Sequence, residues 1–283
     1  MRISHPYQNH TAVLTSKHQK LHLIEPSFHD LIGLQIVETA LDTDQFGTFS
    51  AEIERTLSPI EAALAKARMG MRELGISIGI ASEGSIGPDP AAPFIISDIE
   101  HMVLVDDQAG IVVSESFRSF EIITANINFL PGQDLEDFLR RADFPRHQLI
   151  VKAEKAQPNH CVKGIDSRRE LEVAIKSCSR KSPTGVVVIQ SDLRADRSPS
   201  RQRNIAHAAK LLATRISQLC PDCQAPGWGR VEYERGLLCE SCNGYVALAI
   251  RAEVNGCVRC DHRVIGKQLT RRASPSICNW CNP

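Results

Sequence analysis

The chain has 283 residues, 42% apolar and 23% charged, with Lys+Arg and Asp+Glu equal at 33 each. That composition suffices for an ordinary core and excludes wholesale disorder, and the length suits one large domain plus a small one, or two ordinary ones. No apolar run approaches a membrane span and the first residues lack the apolar stretch of a secretory signal, so the expectation is a soluble, cytoplasmic protein with no membrane partner.

The predicted elements run as follows. Residues 11–15 read as a short buried strand, followed by a helix with Leu21, Ile24, Phe28, Leu31 and Ile32 on one face. Gly33 can end that helix, and Leu34 to Val37 begins a second strand. Residues 40–57 are a polar loop. Ser58-Pro59-Ile60-Glu61 is a helix start with a capping residue, an early proline and a glutamate three after the cap; the helix runs to about Leu74 and stops at Gly75. Ile76 to Ala81 reads as a buried strand that delivers Ser82-Glu83-Gly84-Ser85 into a glycine-flanked turn. Residues 94–130 look like β-structure with turn chemistry at 106–110. Helices are expected at 133–143, 167–178 and from Ser198-Pro199 to about Leu219, with strands at 148–153 and 185–190. The fold class is α/β, a mixed sheet with flanking helices over residues 1–219, plus a small C-terminal tandem zinc-ribbon region over 220–283.

Eight of the ten cysteines form four CxxC pairs after residue 219, which without a secretory signal favours metal over disulfides. Cys220/Cys223 and Cys239/Cys242 are separated by 15 residues, and Cys257/Cys260 and Cys278/Cys281 by 17, both within zinc-ribbon spacing. Two structural Zn²⁺ ions are expected, each held by four thiolates. Sequential pairing is the simpler arrangement and interleaved pairing the alternative. Residues 220–283 carry eight basic and six acidic residues; eight thiolates and two Zn²⁺ bring the net to −2, which lacks the usual footprint for a phosphate backbone. The ribbons therefore read first as folding or protein-contact modules, with nucleic acid the alternative partner. Trp228, Tyr233, Tyr245 and Trp280 would then be core residues rather than base-stacking ones. Cys161 and Cys178 lie outside the pattern and read as ordinary buried cysteines.

Net neutrality hides a split. Residues 1–160 hold 13 basic against 22 acidic residues, and 161–283 hold 20 against 11. The acidic half suits a hard cation. Asp42, Asp44, Glu52, Glu61 and Glu83 lie on or beside loops around one strand edge, and two or three converging carboxylates could hold Mg²⁺ or Mn²⁺. Lys17, Lys20, Arg55, Lys66 and Arg68 could pair with phosphates there. Each has a plainer reading: Glu61 as the partner in a capping box, Lys66 and Arg68 as a solvated helix face, Asp42 and Asp44 as turn residues. Glu83 stands apart, because the carboxyl ends of strands are where open α/β sheets bind ligands. A second charged segment follows residues 186–189. Asp192, Arg194, Asp196 and Arg197 lead into a helix start at Ser198-Pro199 that carries Arg201 and Arg203. Arg194 and Arg201 are expected to contact a phosphate or carboxylate, with pairing to the chain's own acids as the competitor.

Three of these segments resemble the inosine-triphosphate pyrophosphatase and Maf-like nucleotide hydrolases, most strongly over residues 11–90. Thr15 and Lys20 match a phosphate loop, with Lys17 in place of its asparagine; Glu61, Ala63, Lys66 and Ala67 match a metal-binding helix; Glu83-Gly84 matches an acidic-glycine turn. The whole chain also resembles an uncharacterised bacterial domain-of-unknown-function family that combines "DTD-x-x-GTF", "ASEGS-x-GP", an Asp-x-Arg-Ala segment with "P-x-R", and a cysteine-rich tail. The first resemblance implies a metal-dependent hydrolase of phosphorylated small molecules, a nucleotide above all. Glu61 and Glu83 would bind metal or activate water with Asp42 or Asp44 assisting, and Lys17, Lys20, Lys66, Arg68, Arg194 and Arg201 would hold phosphates. The alternative is a zinc-ribbon module that docks on nucleic acid or protein beside a nucleotide-sensing, non-catalytic α/β domain.

Overall fold

The computed structural model describes residues 5–42, 57–156 and 159–283. The α/β class with a mixed sheet and flanking helices is what the fold shows, but the described residues up to 219 build two sheets rather than one.

The first sheet has the order β2-β1-β3-β4-β5. It comprises β1 (Thr11–Thr15), β2 (Gln35–Thr39), β3 (Ile78–Pro88), β4 (Ile96–Asp106) and β5 (Ile111–Ser119). β1 runs parallel to β2 and β3, whereas β3, β4 and β5 are antiparallel neighbours. Three helices cover it: α1 (Leu21–Ile32), α2 (Pro59–Leu74) and α5 (Pro199–Ser217). The alternation along each strand decides which helix it meets. Ala12, Leu14, Ile78, Ile80, Met102 and Leu104 pack with α1 and α5, through Phe28, Ile205 and Leu212. Val13, Ala81, Val103 and Val105 pack with Ala63, Ala67 and Met71 of α2. α1 and α2 end on Gly33 and Gly75 at φ 68° and 64°, a left-handed cap that glycine adopts without strain.

The second sheet, β6-β9-β7-β8, is antiparallel throughout. It comprises β6 (Asn126–Phe129), β7 (Leu149–Ala153), β8 (Cys161–Ile165) and β9 (Val187–Ser191), with α3 (Glu136–Arg141) and α4 (Arg168–Lys181). Its core of Phe129, Phe138, Leu149, Val151, Leu171 and Ile189 is separate from the first. Cys178 is buried in it, but Cys161 is only half-buried. The segment read as continuous β-structure over 94–130 divides between the sheets: β4 and β5 belong to the first and β6 to the second.

The remaining residues form a ribbon of β10 (Gly229–Leu238), β11 (Tyr245–Gly256) and β12 (Arg263–Gln268), antiparallel in that order. No helix among the described residues is long and apolar enough to cross a membrane.

One expectation is overturned in the first sheet. Ser82-Glu83-Gly84-Ser85 is not a turn. β3 runs on to Pro88, and each of its residues from Ile78 pairs with β4. Serines and glycines that look like turn chemistry in isolation are held extended by an eleven-residue antiparallel partner.

Candidate functional site

β1 pairs with β3 only at Val13–Gly79 and Leu14–Ile80, so β3 from Ser82 onward projects past the carboxyl end of β1. The chain leaves β1 at Thr15 and enters α1 at Lys20, above this overhang. Lys20 is buried, and its Nζ donates to Ser82 Oγ at 2.9 Å. Its backbone N–H donates to Glu38 Oε1 at 2.9 Å. Burial, reinforced by the Arg201 charge and opposed by Glu100 and Glu83, lowers the Lys20 ammonium to about 8.

Glu83 and Ser82 point to opposite faces of β3. On the α2 face, Glu83 is buried and forms an ion pair with Lys66. His101 stands directly across from Glu83 on β4, and its Nδ1 lies 2.7 Å from Ser116 Oγ on β5. On the α5 face, Arg201 Nε donates to Glu100 Oε1 at 2.6 Å, and Arg201 Nη1 donates to the Leu193 carbonyl at 2.7 Å. Asn204 donates to Asp98 Oδ2 at 2.8 Å. Asp98, Glu100 and Arg201 are all at most 1% exposed. Burial, with the Glu100 charge adding, pushes Asp98 up to about 7. Among the described residues, Asp98 Oδ1 and Glu100 Oε2 are buried without a hydrogen-bond partner. A Cβ on Gly84 would lie 2.3 Å from Arg201 Nη2 and 2.5 Å from Glu100 Oε1. Gly84 is therefore glycine because a buried ion pair crosses the strand at that point.

The other expected residues are dispersed. Lys17 reaches Asp42 at 3.4 Å on the surface. Glu61 is exposed and closes the capping box, its Oε2 accepting from the Ser58 N–H at 2.9 Å. Arg68 pairs with Asp107 at 3.2 Å, just past the end of β4 and away from His101, the residue opposite Glu83 in mid-strand. Arg194 is bound by Asp192, with Nη2 to Oδ2 at 2.5 Å. Both arginines expected to meet a ligand anion are thus paired with acids of their own chain. Asp44, Glu52 and Arg55 lie outside the described residues. Sequence reasoning missed Asp98, Glu100, Asn204 and His18. The first two had a signal: Asp98, Glu100, Met102 and Leu104 share one period-2 face, so two acids stand in a row of core positions. His18, 3.6 Å from Asp196, is lowered to about 4 by burial and the Lys20 charge.

Another constellation has the outline of a hydrolytic triad. His147 Nδ1 lies 2.9 Å from Asp143 Oδ2, and its Nε2 lies 3.0 Å from Ser200 Oγ. Ser200 is fully buried, however, and its backbone N–H donates to that same Nε2 at 3.0 Å. The imidazole caps the start of α5, where Ser198 makes no side-chain cap.

Metal-ligand geometry is found in the cysteine tail, in the interleaved arrangement. Cys220, Cys223, Cys257 and Cys260 form one quartet and Cys239, Cys242, Cys278 and Cys281 the other, each with its ligand atoms within 4.8 Å of one another. The simpler sequential pairing is excluded by the ribbon itself. β10 carries the chain away from Cys223 for ten residues, roughly 33 Å at strand rise, before Cys239 is reached. β11 returns it, so the third pair meets the first, and β12 sends it out again, so the fourth meets the second. Sγ–Sγ distances of 3.8 and 3.6 Å in the first quartet and 3.9 and 3.6 Å in the second match the roughly 3.8 Å edge of a tetrahedron with Zn–S bonds of about 2.3 Å. Backbone N–H groups of Ser241 and Gly244 donate to Cys239 and Cys242, both at 3.4 Å, and that of Arg259 donates to Cys257 at 3.3 Å. Hydrogen bonds from the Cys242 and Ser241 amides bring the Cys239 thiol down to about 7. Both quartets could hold a metal ion such as zinc. Among the described residues they are the only groups of three or more His, Cys, Asp or Glu side chains with this geometry; Glu61, Glu83 and Asp42 do not form one.

The chain belongs to a family described as a domain of unknown function, DUF6671. The match covers residues 66–283. This DUF6671 region takes in Lys66, Glu83, Asp98, Glu100, Arg201 and both quartets, and leaves out Thr15 to Lys20, Asp42 and Glu61. No curated protein and no solved structure matches the chain.

Proposed function

We propose that the overhang of β3 beyond β1 binds the phosphates of a small phosphorylated molecule, a nucleotide above all, and that the protein is a metal-dependent hydrolase of it. The observation that carries the reading is that Lys20, on one face of β3 at the carboxyl end of the parallel strands, lies within electrostatic reach of the Lys66–Glu83 pair on the other face, with Arg201 and Glu100 on the Lys20 side. Crevices at strand carboxyl ends are the usual ligand sites of open α/β sheets. A buried lysine whose charge is disfavoured by burial gains most from an arriving phosphate. Mg²⁺ is commonly bound through one or two carboxylates plus the substrate's own phosphates, so the absence of a three-carboxylate group among the described residues is compatible with this chemistry. Glu83 would supply the carboxylate and Lys20 and Lys66 would hold phosphate. The order of the Thr15–Lys20, Glu61–Ala67 and Glu83–Gly84 segments, which resembles the inosine-triphosphate pyrophosphatase and Maf-like hydrolases, points the same way. A nucleotide panel with Mg²⁺ and Mn²⁺ tests it. Turnover that Glu83→Gln abolishes, and whose KM rises in Lys20→Met, is expected; no turnover from any nucleotide would end the reading.

A second reading takes the ribbon as a docking module beside a non-catalytic, nucleotide-sensing α/β domain. Its support is the far end of the ribbon, where Leu248 and Trp280 are each 79% exposed and Tyr245 is 66% exposed. Small metal domains normally bury their aromatics. Calorimetric nucleotide binding without hydrolysis would favour it, and steep salt dependence would identify nucleic acid as the partner.

A further inference from the structure

The two quartets differ in what surrounds them. The proximal one is built into the main core: Cys220 and Cys257 are buried with Ile216, Val113 and Ala225, and Cys223, Cys260 and Trp228 pack against the same cluster. The distal one has a small core of its own, Leu237, Val246, Ala249 and Ala273 with two of its ligands, Cys239 and Cys278. Its other two ligands, Cys242 and Cys281, are exposed, whereas no proximal cysteine is. Trp280, beside Cys281 in the chain, lies against Gly244 rather than over a protein core.

We propose that the distal quartet is an oxidation-sensitive metal site, from which peroxide displaces the bound ion while the proximal quartet keeps its own. Thiolate character and access together decide which cysteines react with peroxide. A zinc-bound Cys242 or Cys281 is a thiolate that solvent reaches. Attack of its sulfur on hydrogen peroxide breaks the O–O bond and gives a sulfenic acid and hydroxide. A neighbouring thiolate then displaces hydroxide from that sulfur and closes a disulfide. Two thiolates are oxidised, one peroxide is reduced, and two hydroxides leave. The resolving partners are close: Cys278 Sγ is 3.6 Å from Cys242 Sγ, and Cys239 Sγ is 3.9 Å from Cys281 Sγ. Each disulfide removes two of four ligands, so the ion departs. Because two ligands belong to the six buried residues of the distal core, that end of the ribbon loosens with it. Arg272 is exposed, but its side chain is held by donation to the Cys239 carbonyl at 3.2 Å, and the following Ala273 N–H donates to the Leu238 carbonyl at 3.0 Å; the loosening releases both and frees this backbone for cleavage.

The test uses the full chain loaded with zinc and titrated with hydrogen peroxide. Zinc release is followed with a chromogenic chelator, and alkylated cysteine peptides are read by mass spectrometry. The expected result is one equivalent released with disulfides confined to Cys239, Cys242, Cys278 and Cys281, the second equivalent leaving about tenfold more slowly or not at all. Trypsin should cut at Arg271 or Arg272 only after oxidation, and dithiothreitol with zinc should restore resistance. Loss of both equivalents together, loss from the proximal quartet first, no release, or a chain that takes up no metal on the distal cysteines would each overturn the proposal.

Discussion

The overhang and the ribbon bury charge in two different ways. At the overhang, Glu100 and Asp98 are sealed between β4 and α5; Arg201 supplies the counter-charge to Glu100, and Asp98 has a hydrogen bond from Asn204 and a raised proton affinity. In each quartet of the ribbon four sulfurs are gathered, and the nearby Arg263 and Arg272 donate to the carbonyls of ligand cysteines rather than to sulfur. Hydrogen bonding to Cys242, with burial and Cys239 adding, pushes Cys281 up to about 12, and metal ligation by thiolates couples their deprotonation to the binding of the ion. The first arrangement draws its counter-charge from the polypeptide and the second needs a metal. Loss of metal should therefore act on the ribbon, and loss of a single side chain on the overhang.

The largest effect is expected from the proximal quartet. Its sulfurs share a core with Phe28, Ile205 and Leu212, so Cys257→Ser should unfold the ribbon and also lower the stability of the α/β region, by several kcal/mol on the scale of structural zinc sites, about 10–16 kcal/mol in isolated fingers. Cys278→Ser should leave the stability of the α/β region, by urea denaturation, within about 0.5 kcal/mol of the parent. Equal effects would show that the two quartets fold as one unit. Next comes Arg201→Met, which strands Glu100 without its cation. A loss of about 3–5 kcal/mol by urea denaturation is expected, most of it recovered in the Arg201→Met/Glu100→Leu double variant. Gly84→Ala should cost less, about 1–3 kcal/mol, as the Arg201–Glu100 pair shifts to admit a methyl group. In the Arg201→Met/Glu100→Leu background that cost should shrink, because the atoms it meets are gone.

The ribbon was far more legible in the sequence than the overhang. A CxxC pair is a local signal, and its residue type and spacing name the chemistry; only the pairing needed the three-dimensional path of β10, β11 and β12. The overhang has no such signature. Lys66 and Glu83 are seventeen residues apart, and Glu100 and Arg201 one hundred and one, so their meeting depends on sheet order and on α5 returning to the first sheet. Glu61 was read two ways from one four-residue pattern, and the capping box is what the fold displays. The Ser82–Ser85 stretch misled because turn propensity is local, while the pairing that holds it extended comes from β4.

The pH dependence tests whether the overhang carries its own neutralisation. Asp98 has a folded pKa of about 7, above its unfolded value near 3.9, so its contribution is present at low pH and is lost as pH rises toward 7. His18 has the opposite sign: lowered to about 4 from 6.5, it stays neutral in the fold, and its contribution is lost as pH falls below 6.5. His5, His101 and His147 are lowered too, each mainly by burial, and act in the same sense as His18. Between about pH 4 and 6.5 the histidines make stability rise with pH, while Asp98 opposes them. Asp98→Asn removes the opposing proton and should steepen the rise by up to about 1.4 kcal/mol per pH unit. His18→Gln should flatten it. The check is urea denaturation at pH steps through this window. An unchanged slope in Asp98→Asn would mean that Asp98 is ionised in the folded protein, with the Arg201 charge and the Asn204 hydrogen bond sustaining both carboxylates.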